Sequence, residues 1–420
     1  MADAIVVGAG HNGLICAAYL ARAGIDTELI EARASVGGAA STVTDLGARF
    51  NICNCDHTLI RGMPVIDELE LEAYGLRYLE SEASGINMFH DGSDPWVSFH
   101  ESARTLDALA VSHPEQVDGY KRYLHDALPV AQLALDMART TPGARPMITQ
   151  ALSRRATGAA RLLNWSRRSV DDVFSDYFDD WHLTMPAIST GPTVWGVPPS
   201  APGTGLAAAT YATRHIIRTG RPEGGSGALT DATRESFEAA GGRVRCDARV
   251  DRLMIRDGRA IGVRLDDGNE HTARVIVAAC DPHRVFVDWL DDVPSLAKRF
   301  VRNWKKQPTS EGYESKIDAV ISDLPRYRVA DLLAERLPDV DILGPTVSVS
   351  PSPEALAAAH ADRKLGLVCD QPTLLVNVPS ALDPTMLTAE GNHILSLEVL
   401  YTPYSLQGGW ADSSEPDRWL

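Results

Sequence analysis

The sequence has no apolar run of the roughly 18 residues that a membrane-spanning helix needs. It shows no signal peptide, because Asp3 and a glycine-rich loop occupy the place of the apolar region. Dense clusters of Lys and Arg are also absent, and the net charge is −16, so a nucleic-acid-binding surface is not expected. We therefore predict a cytoplasmic protein with no nucleic-acid partner and no transmembrane segment.

Cysteine is sparse, and its spacing does not suggest a metal site. The six cysteines stand at positions 16, 53, 55, 246, 280 and 369, and no pair forms a C-x-x-C motif or has zinc-ligand spacing. We predict no metal, and we interpret the cysteines as small buried hydrophobic residues in a reducing compartment. The rest of the composition, 44% hydrophobic and 23% charged, is ordinary for a globular protein, and 420 residues suggest two or three folding units.

A strand, a glycine-rich loop, a helix and a second strand are predicted at the start of the chain. The apolar run Ala4–Val7 is typical of a parallel strand buried on both faces. It leads into Gly8, Gly10 and Gly13, whose G-x-G-x-x-G spacing allows a tight turn, a close approach of phosphate and close helix packing. Glu31 ends the second strand, where a carboxylate can bind the ribose hydroxyl groups. The pattern predicts a dinucleotide site for FAD or NAD, and an acid at this position disfavours a 2′-phosphate.

The continuation beyond Glu31 separates the two cofactors. Arg33 and a second glycine pair, Gly37 and Gly38, follow directly. This segment resembles the extended FAD fingerprint of the two-dinucleotide-binding-domain flavoproteins, in which the glycine pair lies against the pyrophosphate and the arginine helps to anchor it. NAD dehydrogenases lack such a segment, so the resemblance favours FAD over the alternative of an ordinary loop with two glycines.

Residues 221–285 are predicted to return to the same domain. A loop with three glycines precedes a predicted helix at 228–240 and a strand that contains Val244 and Cys246. Short strands follow, separated by the hairpin turns Asp257-Gly258 and Asp267-Gly268, and an apolar return strand closes the segment. These strands are predicted at 250–255, 260–265, 270–272 and 275–279. The antiparallel meander thus replaces the usual crossover helix.

The predicted fold class is α/β, with a Rossmann-like FAD-binding domain, an antiparallel meander crossover and an interleaved α+β substrate domain. We assign residues 1–59 and 221–285 to the FAD-binding domain. Residues 60–220, in which 115–138 is the clearest helix, and 286–420 form the predicted substrate domain. The second domain is therefore interrupted in sequence by the first.

Four separated blocks of the chain resemble the phytoene desaturase-related flavoproteins of the amine-oxidase-like superfamily. The blocks are 3–41, 200–229, the meander up to ACDPHRVF at 279–286, and 377–410. The resemblance implies an FAD-dependent oxidoreductase that oxidises a C–C or C–N bond of a small, apolar substrate. It places FAD on Gly8, Ala9, Gly10, His11, Asn12, Gly13, Glu31, Ala32, Arg33, Gly38, Ala39 and Val250.

The resemblance also suggests one catalytic residue. Lys316 stands where relatives have a strand bearing a lysine, and in amine-oxidase-like enzymes such a lysine approaches the flavin N5 atom through a water; a solvated strand lysine is the alternative. Hydride transfer to a flavin needs little from side chains beyond positioning. No general base is therefore assigned, although His57, His215 and Tyr211 lie in segments that should line the substrate cavity.

The sequence departs from the family near its end. Relatives close with a glycine-rich strand and helix whose N–H groups face the flavin ring, and here only ten residues, without a glycine, follow Trp410. Three hypotheses remain open. A second chain supplies the missing motif, the chain is a truncated, non-catalytic FAD- or ADP-binding homologue, or it is a module that binds an apolar ligand.

Overall fold

The computed structural model describes residues 2–140, 143, 145, 149, 158–291, 293–307, 313–411, 417 and 419. The strands in chain order are β1 (Ala2–Val7), β2 (Thr27–Ile30), β3 (Thr42–Asp45), β4 (Ala48–Asn51), β5 (Tyr78–Leu79), β6 (Ala83–Phe89), β7 (Trp96–Phe99), β8 (Arg221–Pro222), β9 (Arg243–Arg245), β10 (Val250–Arg256), β11 (Arg259–Leu265), β12 (Glu270–Ala278), β13 (Glu314–Ile321), β14 (Val347–Ser350), β15 (Leu374–Asn377) and β16 (His393–Leu400).

The α-helices are named in the same way. They are α1 (His11–Arg22), α2 (Val65–Glu68), α3 (Ser102–Ser112), α4 (Val117–Ala138), α5 (Ala159–Trp165), α6 (Val170–Ser175), α7 (Trp181–Ser189), α8 (Ala207–Ala212), α9 (Gly227–Ala239), α10 (Lys298–Trp304), α11 (Ala330–Arg336), α12 (Pro353–Leu365) and α13 (Pro379–Leu382). The chain divides into two compact units, unit 1 with residues 1–60, 64–79 and 221–309, and unit 2 with residues 61–63, 80–220 and 310–420.

Unit 1 contains a six-stranded sheet in the order β10-β11-β12-β1-β2-β9. Parallel pairing joins β12, β1, β2 and β9, so β1 lies in the interior of the sheet. This position explains the apolar run in β1, where Ile5 and Val6 are fully buried. Helices α1 and α9 pack together in one core cluster around Leu14 and Phe237. The arrangement confirms the predicted α/β class with a Rossmann-like domain.

The meander differs from the sequence prediction in one respect. The two short strands predicted at 270–272 and 275–279 form a single strand, β12. Its first half pairs antiparallel with β11, and its second half pairs parallel with β1. One strand can pair with both β11 and β1 because it uses one edge over its first residues and the other edge over the rest. The pattern of apolar and polar residues does not encode this change of partner. The two hairpin turns are as predicted, with Asp257 and Gly258 both at positive φ.

Unit 2 contains a second six-stranded sheet in the order β13-β16-β15-β14-β6-β7. The sheet is mostly antiparallel, and only β14 and β6 pair in parallel. Its largest hydrophobic cluster is mostly helical, is built around Tyr120, Tyr123 and Trp165, and also includes side chains from β6, β7 and β16. The long helix predicted at 115–138 is observed as α4, preceded by one turn of 3₁₀-helix at Pro114–Gln116. The α+β character predicted for this part of the chain agrees with these elements.

The unit boundaries differ from the predicted domain boundaries in two places. Residues 64–79 belong to unit 1, because Leu69 and Leu76 pack in the cluster of α1 and α9. Residues 286–309 also belong to unit 1, and Trp289 packs against the meander. In both places, apolar side chains that come after the predicted end of an FAD-binding segment still pack in unit 1. Both segments of unit 1 are therefore longer than predicted.

Two further predictions concern cysteines and membranes. Cys55 is buried, but Cys53 is exposed and the other four cysteines are partly buried, so the interpretation of all six as core residues is wrong. Cys53 is exposed because it lies in the irregular segment after β4 rather than in a packed element. Within the described ranges, no helix combines the length and apolarity needed to cross a bilayer.

Candidate functional site: a glycine-lined dinucleotide cradle

The first glycine of the loop is required by its backbone. Gly8 has φ +102°, and its N–H donates to the carbonyl of Ile30 at 2.8 Å. A Cβ at this position would stand 2.7 Å from the carbonyl oxygen of Ala279. Since that oxygen lies just past the end of β12, the turn is pressed against the neighbouring strand, and only glycine fits.

The other two loop glycines have different roles. A Cβ on Gly13 would lie 1.9 Å from the carbonyl oxygen of Gly8, so Gly13 is needed for the packing of α1 on β1. A Cβ on Gly10 would have no neighbour closer than the Cα of Gly38, at 3.8 Å, among the described residues, and Gly10 has an ordinary φ of −68°. Internal packing therefore does not require glycine at position 10, which fits a role in leaving room for a ligand.

The start of α1 offers hydrogen-bond donors beside this opening. Gly10 is the N-cap and provides no side-chain cap, and an intrahelical bond runs from Leu14 N–H to the Gly10 carbonyl. The N–H groups of His11, Asn12 and Gly13 thus belong to the first turn, where helices bind phosphate. Burial lowers the pKa of His11, so its imidazole adds no positive charge near neutral pH.

Glu31 is held beside the loop by two backbone donors. Its Oε2 accepts from the N–H of Ala9 at 2.7 Å, and its Oε1 accepts from the N–H of Arg33 at 2.9 Å. Each oxygen keeps a further acceptor position, because a carboxylate has about four lone-pair sites. The carboxylate is therefore fixed at the end of β2 and able to accept from hydroxyl groups of a ribose. Ala32 forms the link between Glu31 and Arg33.

The second glycine pair lies directly against the first loop. Gly37 forms an isolated parallel bridge with Gly10, and its N–H donates to the Ala9 carbonyl at 2.8 Å. A Cβ on Gly38, which has φ +59°, would stand 2.9 Å from the Cα of Gly10. Arg33 Nη1 donates weakly to the Gly38 carbonyl at 3.4 Å. The short 3₁₀-helix Gly38–Ala40, which contains Ala39, continues from this contact.

The start of the meander also reaches this region. The N–H of Ala248 donates to the Glu31 carbonyl at 2.8 Å, and that of Asp247 donates to the Arg33 carbonyl at 2.9 Å. Val250, which is 6% exposed, begins β10 two residues later. Val250 therefore follows a segment tied to Glu31 and Arg33, and its contact with an adenine stays a prediction. The structure brings every predicted cofactor residue together in unit 1.

One thiol lies near the loop. Cys280 follows Ala279, and its Cβ would be 3.5 Å from a Cβ built on Gly8. Burial, and secondarily the carboxylate of Asp281, raise the pKa of this thiol to about 11. Cys280 is therefore protonated near neutral pH and unsuited to nucleophilic chemistry.

Several contacts that support the cradle were not predicted. The loop at 224–227 docks on the β3–β4 hairpin, where Ser226 N–H donates to Asn51 Oδ1 at 2.8 Å and Gly227 N–H donates to Thr42 Oγ1 at 2.9 Å. The buried Arg221 donates through Nε to Asp56 Oδ1 at 2.6 Å. These partners are more than 160 residues apart, and local patterns carry no signal for such pairs.

The predicted catalytic candidates belong to different units. In unit 2, Lys316 lies on β13, and its Nζ donates to both carboxylate oxygens of Asp318, at 2.6 and 2.7 Å. In unit 1, His57 is buried, and its Nδ1 lies 3.0 Å from the Tyr78 hydroxyl oxygen. The lysine is thus paired with a carboxylate on its own strand rather than being a freely solvated side chain.

The two remaining candidates, His215 and Tyr211, are buried or half-buried residues of unit 2. His215 Nδ1 lies 3.0 Å from the His100 carbonyl oxygen, so Nδ1 carries the proton and Nε2 accepts from the Tyr120 hydroxyl, also at 3.0 Å. Tyr211 is 6% exposed, and its hydroxyl has no hydrogen-bond partner within the described residues. Both ring nitrogens of His215 are used internally, which fits a structural role.

Comparison with known proteins identifies relatives over nearly the whole chain. Residues 6–63 match the family of NAD(P)-binding Rossmann-like domains. The chain is 29% identical to the pyridine nucleotide-disulfide oxidoreductase domain-containing protein 2 of Rattus norvegicus, over 97% of this chain and 74% of that protein. It is 24% identical to a limonene dehydrogenase subunit of Castellaniella defragrans, over 99% of this chain and 76% of the relative.

Shorter matches extend the comparison. A lycopene-forming phytoene desaturase of Pseudescherichia vulneris is 26% identical over 71% of this chain and 60% of its own length. The structure of a putrescine oxidase bound to putrescine superposes with a TM-score of 0.54 at 17% identity, covering 95% of this chain and 75% of the oxidase, which is a likeness of fold. The resemblance to phytoene desaturase-related proteins is therefore confirmed, and the likeness to an amine oxidase is one of fold.

The fold, the cradle and the relatives together define the class of this protein. It is an oxidoreductase of the FAD/NAD(P) type, built on a Rossmann-like dinucleotide-binding domain. The dinucleotide cradle of unit 1 consists of the loop at 8–13, Glu31 to Arg33, and the glycine pair at 37–38. The fit of these residues to a dinucleotide follows from the loose surroundings of Gly10, where a Cβ would come no closer than 3.8 Å to any atom of the described residues outside its chain neighbours.

Proposed function

We propose that the protein is an FAD-dependent oxidoreductase that oxidises a C–C or C–N bond of a small, apolar substrate. The observation that carries the choice of FAD is the contact of Gly37 and Gly38 with Gly10. A second glycine segment against the phosphate loop is what the flavoprotein fingerprint requires and what a simple NAD site lacks. Bound FAD would supply the two-electron oxidation itself.

The residues of unit 1 bind and orient the ADP half of the cofactor in this proposal. The first turn of α1 would donate hydrogen bonds to the pyrophosphate, and Gly10 and Gly38 would allow its close approach. Glu31 would accept from the ribose hydroxyls, and Arg33 would provide a positive charge beside the phosphates. The backbone at Val250 would contact the adenine. The fixed position of Glu31 makes this half of the site rigid before binding.

Lys316 is proposed as the catalytic residue on the basis of the family resemblance. Its ammonium group is held by Asp318, and its side chain is 13% exposed. A charged amine in a partly buried position can hold a water or stabilise negative charge on a reduced cofactor. Lys316 therefore has the positive charge and the restricted position that a catalytic residue beside a reduced cofactor needs.

We further propose that a second chain completes the flavin site. Within the described residues, no strand pairs with the outer edge of the second half of β12, at residues 274–278, and Val275 is 54% exposed there. An open strand edge with an apolar side chain is a place where another strand can add. The name of one relative, a dehydrogenase subunit, is consistent with a multichain enzyme. The partner would contribute the glycine-rich strand and helix of the family.

Purification of the chain, alone and after co-expression with a candidate glycine-rich partner, tests these proposals. We expect a stable complex that contains one tightly bound FAD and whose flavin is reduced by substrate. If the chain alone is monodisperse and carries one tightly bound, reducible FAD, the proposal of a second chain is rejected. The proposal of an FAD-dependent oxidoreductase is then retained. A chain that binds ADP but yields no reducible flavin in any complex would favour the alternative of a non-catalytic FAD- or ADP-binding homologue.

A further inference from the structure

A short segment of unit 1 has a charge opposite to that of the chain. Residues 293–307 contain no Asp or Glu, whereas the whole chain has a net charge of −16. We call residues 296–306 the basic segment, and its cationic side chains are Lys298, Arg299, Arg302, Lys305 and Lys306. The expectation that Lys and Arg form no dense cluster is therefore wrong for this segment, because its charge is hidden in the acidic total.

The cations of the basic segment are exposed and unpaired. They belong to α10 and to the turn at 305–306 that follows it. Within the described residues, none of them makes an ion pair or a side-chain hydrogen bond. Other cations of unit 1 do have carboxylate partners, as in the pairs of Arg243 with Asp26 and of Arg264 with Asp251. The positive charge of the basic segment is therefore available to a partner outside the unit.

The stability of α10 does not account for these charges. Lys298 and Arg299 stand in the first turn, where the helix dipole disfavours positive charge. Arg302 lies four residues after Lys298 and four before Lys306, and like charges at this spacing repel each other on a helix surface. Since the basic segment contains no acid to offset this repulsion, an external anionic partner explains the cations better than the helix itself does.

Two exposed apolar side chains accompany the cations. Leu296 is 89% exposed and Phe300 is 57% exposed. The opposite side of α10 is held by the unit, because Val301 is buried and the helix packs on the π-helix at Arg284–Asp288. The ring of Phe300 stacks on that of Phe286, with centroids 5.9 Å apart. The basic segment is thus fixed on unit 1 and presents cations and apolar side chains together to the solvent.

We propose that the basic segment attaches the protein to the surface of a membrane that contains anionic lipids. Each Lys or Arg near such a surface strengthens binding by about fivefold, and exposed Leu and Phe side chains enter the boundary between headgroups and acyl chains. A nucleic acid would also attract the cations, but it binds apolar side chains by stacking on aromatic rings, which an exposed Leu296 does not offer.

The acidic net charge of the chain does not prevent this attachment. At physiological ionic strength, charges farther away than about 8 Å are largely screened, so the charges of the basic segment itself decide the interaction. Attachment would bring the proposed oxidoreductase to a phase in which apolar substrates dissolve. The binding itself requires neither FAD nor a second chain, so it goes beyond the proposed function.

Sedimentation of the full chain with phosphatidylglycerol vesicles and with phosphatidylcholine vesicles tests the proposal. We expect salt-sensitive binding to the anionic vesicles, little binding to the neutral ones, and a loss of at least about tenfold in Arg299→Gln/Lys306→Gln. The control is Arg326→Gln/Arg328→Gln, which removes two exposed arginines of unit 2 that also lack an ion pair within the described residues. Equal binding to both kinds of vesicle, or equal effects of the two double variants, would overturn the proposal.

A second pair of variants separates a membrane from a soluble polyanion. We expect Leu296→Ser to weaken vesicle binding about tenfold, because it removes an apolar side chain that enters the bilayer. Leu46→Ser is the control, since Leu46 is 79% exposed in unit 1 but lies outside the basic segment. Vesicle binding that is unchanged in Leu296→Ser, or binding of the parent to a single-stranded oligonucleotide that is as tight as its binding to the vesicles, rejects the membrane.

The proposed second chain is the alternative occupant of this surface, and the co-expressed complex tests it. We expect Arg299→Gln/Lys306→Gln to form the complex as the parent does, and we expect the parental complex to bind anionic vesicles. Loss of the complex in this variant, or a parental complex that no longer binds the vesicles, would assign the surface to the partner and overturn the proposal. Flavin absorbance of the same samples measures the dinucleotide cradle separately, so the membrane proposal and the proposed function fail independently.

Discussion

Glu31 Oε2 accepts a hydrogen bond from the backbone N–H of Ala9 at 2.7 Å, which joins the end of β2 to the glycine loop across 22 residues. The same carboxylate accepts from Arg33 N–H through its other oxygen. The acid is therefore both part of the scaffold and a proposed ligand of the ribose. Its position is fixed before any cofactor binds, which lowers the entropic cost of ordering this side chain on binding.

Replacement of Glu31 is expected to weaken binding of the adenosine half. Glu31→Ala should cost about 1.5–3 kcal/mol of FAD or ADP binding free energy, the usual value for a hydrogen bond to a charged group. Titration calorimetry measures the change. Glu28→Ala is the control, because Glu28 lies on the same strand but pairs with Arg245 and His271. Equal affinities of the parent and Glu31→Ala would remove Glu31 from the site.

Gly10 and Gly13 should respond differently to the same substitution. A methyl group at position 10 would make only an ordinary contact, 3.8 Å from the Cα of Gly38, so Gly10→Ala should fold with the parental denaturation midpoint but bind FAD at least about tenfold more weakly. Gly13→Ala places a methyl group 1.9 Å from the Gly8 carbonyl oxygen and should destabilise unit 1 by about 1–3 kcal/mol. Circular dichroism measures the stability of each variant, and the flavin content of the purified variants measures FAD binding. Full flavin occupancy in Gly10→Ala would contradict the assigned phosphate path.

Lys316→Met should leave the flavin content intact and slow the oxidation of reduced flavin by more than about tenfold in stopped-flow experiments. The loss of the ammonium group removes the charge that Asp318 holds in place. Asp318→Asn is the control for a purely structural effect, since it breaks the same ion pair and keeps the amine. Rates within about twofold of the parent in Lys316→Met would assign the lysine a structural role.

Acid should destabilise unit 2 through His215. Burial, foremost, lowers the pKa of His215 from 6.5 to about 4, so the unfolded state binds a proton more readily than the folded state between these values. The stability contributed by the neutral ring is complete above pH 6.5 and is lost as the pH falls towards about 4, by about 3 kcal/mol in all. A plot of the urea denaturation midpoint against pH should therefore have a smaller slope for His215→Gln than for the parent.

The control for this pH dependence is His125→Gln, because the His125 side chain is 85% exposed. Other groups near His215 are the Arg214 and His100 side chains, which lower its pKa further, and the His100 carbonyl, which opposes the shift. Identical pH profiles of the parent and the His215 variant would show that the ring does not control the acid transition.

Val275→Lys should prevent association with the proposed second chain. A charge on an open strand edge opposes pairing with another strand, and Val275 is 54% exposed in the half of β12 that pairs with β1 along one edge and, within the described residues, with no strand along the other. Size exclusion of the co-expressed chains measures the loss of complex. Val43→Lys is the matched control, since Val43 is 41% exposed on the β3–β4 hairpin of the same unit. A complex that tolerates the lysine at 275 would place the partner elsewhere.

The dinucleotide cradle could be predicted from the sequence because its parts are local. A buried strand, a glycine loop and a helix start within 13 residues, and the spacing of Gly8, Gly10 and Gly13 already carries the steric requirements. The turn at Asp257-Gly258 was predictable for the same reason, since positive φ at both residues selects those residue types. The single strand β12 was not predictable, because its two halves differ only in their partners.

The sequence by itself determined the fold class of unit 1, the position of the cradle and the family resemblance, because periodicity and glycine spacing act over short distances. Only the tertiary structure decided that Lys316 is paired with Asp318 and that His215 uses both ring nitrogens internally. Such relationships depend on which side chains the packing of distant segments brings together. Burial and pairing then set their charge and hydrogen bonding, and residue type alone does not encode them.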